Sequence, residues 1–94
     1  MCTIRVAQPI DPDAIAYAWQ QVVGQILDLI AAGTWPPGRR IPSEADLAYS
    51  FQVARVTVRK GLAWLVEHGV VVAQQGRGTF VASDLPDPLP DPPA

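Results

Sequence analysis

Apolar residues recur at spacings of three and four along Ile15, Trp19, Val22, Val23, Ile26, Leu27 and Ile30. That is the period of one buried helix face, and it predicts a helix of about 20 residues. Asp11 and Pro12 mark its start. An aspartate accepts from the free N–H groups of a first turn, and proline at the first helical position gives up no bond. Asp13 adds negative charge where the helix dipole is positive, and Gly33 is the stop. Gly24 lies inside the helix at a cost of up to about 1 kcal/mol relative to alanine, which marks it as a candidate for a close helix crossing.

Thr34-Trp35-Pro36-Pro37-Gly38 reads as a rigid turn. Arg39 to Pro42 is a short extended piece, because Pro42 drives Ile41 out of the helical region. Ser43 opens a second, short helix with Asp46 at capping-box spacing. Leu47, Ala48 and Phe51 supply its apolar side, and it ends near Phe51-Gln52. A third helix fits Arg55 to His68, lined by Val58, Leu62, Leu65 and Val66, with Gly69 as the C-terminal glycine. Gly61 in its middle is a second candidate for close packing. Val70 to Gln74 and Thr79 to Ala82 are extended around the turn Gln75-Gly76-Arg77-Gly78, a β-hairpin. The elements predict a mainly α fold with a small β-hairpin, three helices plus a two- to three-stranded sheet. Residues 1–10 read as a flexible arm and 11–83 as the domain. Residues 84–94, with five prolines and three aspartates, read as a disordered tail that buries little.

Composition narrows the class. Of 94 residues 49% are apolar, which fits one small folded domain. No apolar run reaches the roughly 18 residues of a membrane span. No hydrophobic stretch precedes Pro9, so no secretory signal is read, and Cys2 is the only cysteine, which leaves no internal disulfide. A cytoplasmic protein is expected. The net charge of −2 is unevenly spread: residues 39–81 hold six cations (Arg39, Arg40, Arg55, Arg59, Lys60, Arg77) against three acids, and the rest holds Arg5 against six aspartates. Only the local field acts on a partner within a Debye length of about 8–10 Å. A solvated charged surface and a polyanion-binding face both fit that distribution. His68 is the only histidine and sits at a helix C-terminus, where the dipole accounts for it. No metal-ligand spacing, nucleophile–base pair or phosphate loop is present, so neither an enzyme, a metal nor a cofactor is expected.

Two helices joined by a tight turn, the second running into a hairpin, form the winged variant of the helix-turn-helix. The residues carry more than the order. Pro37-Gly38, Ile41-Pro42-Ser43-Glu44, Leu47-Ala48, Val53-x-Arg55-x-Thr57-Val58-Arg59, Leu62, Leu65, Gly69 and Gly76-x-Gly78-Thr79-Phe80-Val81 fall in one register. Together, over about Tyr17 to Ala82, they resemble the DNA-binding domain of the GntR family of transcriptional regulators. The resemblance implies sequence-specific binding of double-stranded DNA, a repressor being the expected outcome, with a recognition helix in the major groove and the wing in the minor groove. Three departures matter. Ala45 stands where the family carries an arginine, Ala54 leaves the recognition helix without a side-chain cap, and Gln74-Gln75 replaces a basic wing strand. The family normally also attaches an effector-binding and dimerisation domain; a free-standing domain and a fragment cut in the linker both fit this chain. No small-molecule effector is expected within it.

Arg55 and Arg59, four apart, project from one helix face, and arginine's planar fork matches guanine O6 and N7. Thr57 is near the same end, and Lys60 is one position round, better placed for phosphate. Arg77, between Gly76 and Gly78 and next to Gln75, suits a narrow minor groove. Ser43 and Glu44 head the second helix, whose N–H groups can hold a phosphate, with Ser43 a cap first. Arg40 completes the candidate set. A weak or DNA-assisted homodimer on an inverted repeat is expected, its contact on the first helix near Trp19 or on the exposed edge of Trp64. Trp19 and Trp35 are expected to fill the core. The alternative is a winged-helix protein-docking module or an accessory subunit of a DNA-binding complex, which would have no need of Arg55, Arg59 and Arg77.

Overall fold

A computed structural model describes residues 10 and 17–92. Among these residues three helices are followed by a hairpin: α1 (Ala18–Ala31), α2 (Glu44–Phe51), α3 (Arg55–Glu67), β1 (Val71–Gln74) and β2 (Gly78–Val81). The architecture is the winged helix predicted from the pattern. No helix among the described residues is long and apolar enough to cross a membrane.

The core is assembled from the predicted apolar stripes. Val22, Val23, Ile26, Leu27 and Ile30 of α1 meet Leu47, Ala48 and Phe51 of α2 and Val58, Leu62 and Leu65 of α3; Ile41, Val70, Val71 and Val81 close it from the sheet side. Phe51 is the largest fully buried side chain, and truncating such a residue costs about 3–5 kcal/mol. Ile10 ties on through its N–H to the Phe51 carbonyl at 3.2 Å and packs half-buried against the core.

Several expectations need correction. The first helix begins at Ala18, because Tyr17 is extended (φ −63°, ψ 155°) and its N–H donates to the Gln20 Oε1 at 2.9 Å. Asp11, Pro12, Asp13 and Ile15 lie outside the described residues. Trp19 and Trp35 are half-buried at the core's margin rather than within it. Val66 is 43% exposed: on α3 it falls about 80° from the direction of Val58, outside the packed stripe. Leu85 and Leu89, in the segment expected to bury little, pack half-buried against the core. Gly24 marks no helix crossing, since a Cβ there would meet only Pro92 at 3.9 Å. Gly61 does mark one: a Cβ would lie 3.2 Å from Val22 Cγ1 and 3.4 Å from both the Trp19 carbonyl and Val23 Cγ2. The missing side chain lets α3 sit directly on α1.

α2 and α3 are joined by a tight turn. Gln52 takes the left-handed conformation (φ 57°) and closes α2 through its N–H. α3 then starts at Arg55 behind an extended Ala54 that makes no side-chain cap, as its methyl group dictates. Gly69 (φ +75°) ends α3 in a conformation glycine adopts at no steric cost. The chain then enters β1, paired antiparallel with β2 from Val71↔Val81 to Gln74↔Gly78. The extended piece before α2 adds a third rung on the far edge of β2. Arg40 bridges Phe80, Ile41 N–H donates to the Thr79 carbonyl at 2.9 Å, and Val81 N–H donates to the Arg39 carbonyl at 2.8 Å. The wing's base is thereby tied to the entrance of α2.

Candidate nucleic-acid interface

The first two turns of α3 present the exposed Arg55, Val56 and Arg59, while Val58 and Gly61 turn inward. Arg55 and Arg59 stand one turn apart, with side chains 64% and 61% exposed. The head of α2 faces them. Ser43 caps that helix, its Oγ accepting from the Asp46 N–H at 3.1 Å, and this leaves Glu44 in the first turn pointing across at α3. Arg59 donates to the Glu44 carboxylate through Nε at 3.2 Å and Nη2 at 3.0 Å, and the Arg55 guanidinium lies 3.8 Å from the same carboxylate. The hydrogen bonds from Arg59 hold the Glu44 carboxyl below its ordinary pKa, against a smaller opposing effect of burial, with the charges of Arg59 and Arg55 adding to the lowering. The same bonds raise Arg59.

This pairing decides what Arg59 has left to offer. A guanidinium presents five N–H groups in a fixed plane. The edge made by Nε and Nη2 is spent on Glu44; the end made by Nη1 and Nη2 keeps two parallel donors. That end has the geometry of bidentate pairing to guanine O6 and N7. Sequence reasoning treated Glu44 as part of a phosphate seat and did not find this contact. The available signal was an acid in the first turn of one helix and two arginines one turn apart at the start of the next.

The predicted site residues do not form one patch. Arg40, Ser43, Glu44, Arg55, Gln75 and Gly76 line one open cleft between the head of α2 and the wing, with Ala45 among them. Arg40 lies across the base of the wing so closely that a Cβ on Gly78 would stand 2.8 Å from its Nε; Gly78 itself has φ +119°. Arg59 joins this group through Glu44. Thr57 and Lys60 face the other way, toward α1, in a groove shared with Tyr17 and Trp19, where the Lys60 ammonium sits 4.9 Å above the Trp19 ring. Arg77 is at the wing tip. Its N–H donates to the Gln74 carbonyl at 2.9 Å, and its guanidinium lies over Phe80 at 5.9 Å, on the face of the hairpin that includes Val72 and Gln74. A concave face with an arginine-bearing helix end on one side and a cationic wing on the other can straddle a duplex backbone, with one element entering each groove. Among the described residues no group of histidine, cysteine, aspartate and glutamate is placed to hold a metal ion.

Comparison with known proteins gives the family and the fold. Residues 18–81 match the model for bacterial regulatory proteins of the gntR family. The probable fructoselysine utilization operon transcriptional repressor of Escherichia coli K12 is 44% identical over 59 residues, which are 63% of this chain and 24% of that protein. The chain thus spans about a quarter of the length of that relative. Among solved structures, YtrA from Sulfolobus acidocaldarius, a GntR-family transcription factor, superposes with a TM-score of 0.77 at 34% identity, covering 85% of this chain and 84% of its own. AraR(DBD) in complex with operator ORX1 superposes with a TM-score of 0.75 at 32% identity, covering 83% of this chain and 100% of its own.

Proposed function

This chain belongs to the gntR family of bacterial regulatory proteins, and from that premise we propose that it is a sequence-specific double-stranded DNA-binding transcriptional repressor acting in the cytoplasm. The observation that carries the reading is the presentation of Arg55 and Arg59 at the exposed head of α3, with Glu44 fixing one edge of Arg59 and leaving its other end free. In this reading α3 enters the major groove, Arg55 and Arg59 read base edges, and Arg77 at the wing tip enters the minor groove. Arg40, Ser43, Gln75 and Gly76 seat the phosphate backbone between the groove-reading elements. In a singly bound copy, Thr57 and Lys60 meet the backbone on the α1 side. The AraR(DBD)–operator structure and the operon repressor of Escherichia coli support the partner and the role.

One such module buries about 600–1,000 Å² on DNA, modest for discrimination against a genome. Ala45 and Gln74-Gln75 add no charge to it. Two copies on an inverted repeat make up the difference. The role proposed is one of binding. The test is selection from a random duplex library followed by titration over a salt series. If about four phosphates are neutralised per copy, log K falls with log salt at a slope near −3 to −4. Binding that ignores salt, or none at low salt, overturns the reading and favours a protein-docking module.

A further inference from the structure

One side of α3 has no partner among the described residues. Trp19 of α1 and Lys60, Ala63, Trp64, Val66 and Glu67 of α3 line a shallow, mainly apolar groove there. Trp64 is its anchor. The inner side of its indole packs on the core, and its flank is backed by the His68 ring, stacked at a centroid distance of 3.7 Å. His68 is itself held, its Nδ1 lying 2.8 Å from the Trp64 carbonyl to which it donates. A rigid aromatic side chain offers contact area with little conformational freedom left to lose.

The charges of this groove have a symmetry. Lys60 and Glu67 are two helical turns apart, about 10 Å along the axis, and the exposed Ala63 lies near their midpoint. Neither is in an ion pair among the described residues; Lys60 rests on Trp19 instead. Such a surface is its own complement. An antiparallel copy of α3, related by a two-fold axis through Ala63 and Trp64, sets Lys60 against Glu67 twice, as a self-complementary interface requires. The small side chain of Ala63 at the axis permits close approach of the two helices.

We propose that this groove is the seat of a second copy of this chain, docked with its α3 antiparallel to the first. The proposal gives a face to the two-copy arrangement above and rests on that reading. The two-fold axis relating the copies is the symmetry of an inverted repeat.

Sedimentation of the chain, alone and with a palindromic duplex, reads the contact, and anisotropy on a half-site duplex reads DNA binding separately. Glu67→Lys weakens copy–copy association roughly three- to tenfold, the scale of losing two exposed ion pairs, and leaves half-site binding unchanged. Ala63→Arg, at the axis, abolishes the association. In the DNA-free chain, Lys60→Glu combined with Glu67→Lys restores association to within about twofold, because the pairs re-form with their signs exchanged. Thermal melting confirms that each variant is folded. The inference is overturned if Glu67→Lys leaves association unaltered or if the double exchange is as weak as the single one. It is also overturned if Glu67→Lys loses half-site binding with copy contact intact. A wild-type chain that stays monomeric, alone and on the palindrome, overturns it too and leaves the groove to a different protein.

Discussion

Replacing Glu44 by glutamine removes one charge and keeps the side chain's shape, and it isolates what the acid does for Arg59. In the protein the carboxylate takes both the Nε and Nη2 donors, at 3.2 and 3.0 Å. The pair is open to water, with Glu44 29% and Arg59 61% exposed, so screening leaves it little weight in folding. Its weight in binding is of another kind. A long side chain immobilised at an interface forfeits about two- to tenfold in affinity through lost rotamers, and Glu44 imposes much of that order before DNA arrives. An amide oxygen accepts, but its NH2 group repels the second donor, so the fork is no longer held in plane. We expect Glu44→Gln to bind the preferred duplex about two- to tenfold more weakly. Unrelated duplexes are bound as well or better, because an acid facing the phosphates has gone; the salt slope steepens by up to about one. Anisotropy on preferred and scrambled duplexes over a salt series measures both. The wild-type protein offers a second check. Glu44's pKa is lowered on folding from 4.5, chiefly by the Arg59 hydrogen bonds. The pairing is therefore complete above that ordinary value and is lost as pH falls through the lowered one. Discrimination should hold steady across about pH 5–8. Equal strengthening on both duplexes by Glu44→Gln would refute the positioning role and leave Glu44 a simple repulsive charge.

Two further predictions follow from the same surface. Arg59→Ala should cost about ten- to a hundredfold on the preferred site and relax the preference at one base pair, whereas Lys60→Ala should weaken all duplexes about equally; identical, sequence-independent losses in a binding selection would refute base reading by Arg59. Ala54→Ser should stabilise the fold by about 1 kcal/mol, since Ala54 already has the extended conformation of a cap and lacks only the acceptor, and an unchanged melting temperature would contradict that account.

What the sequence made legible was local. The three-and-four spacing located the buried faces of all three helices, and β-branched runs around Gln75 to Gly78 located the hairpin, because each pattern reports one element's own periodicity. Helix starts were harder. Asp11-Pro12 is a strong start signal, yet the described helix opens at Tyr17, where the work is done by Gln20 three residues on. Contacts between distant residues were invisible. Nothing in a single helix pattern joins Glu44 to Arg59, 15 residues away, or turns Lys60 toward Trp19. The proline-rich composition after residue 83 hid two leucines that reach the core. The two mid-helix glycines looked alike in sequence, and only packing separated Gly61, pressed on two buried valines, from Gly24.

That pressing of Gly61 on α1 sets how the arginines are aimed. With Val22 Cγ1 only 3.2 Å from where a Cβ would stand, the backbone of α3 lies directly against α1. Val22 and Val23 are fully buried and, being branched at Cβ, have almost no alternative rotamer. A displacement of α1 is therefore expected to carry α3 with it, and with α3 the bearing of Arg55 and Arg59. α1 is the stock of the instrument and α3 its barrel: a hand laid on the rear of the molecule, well away from any base pair, can throw both arginines off target.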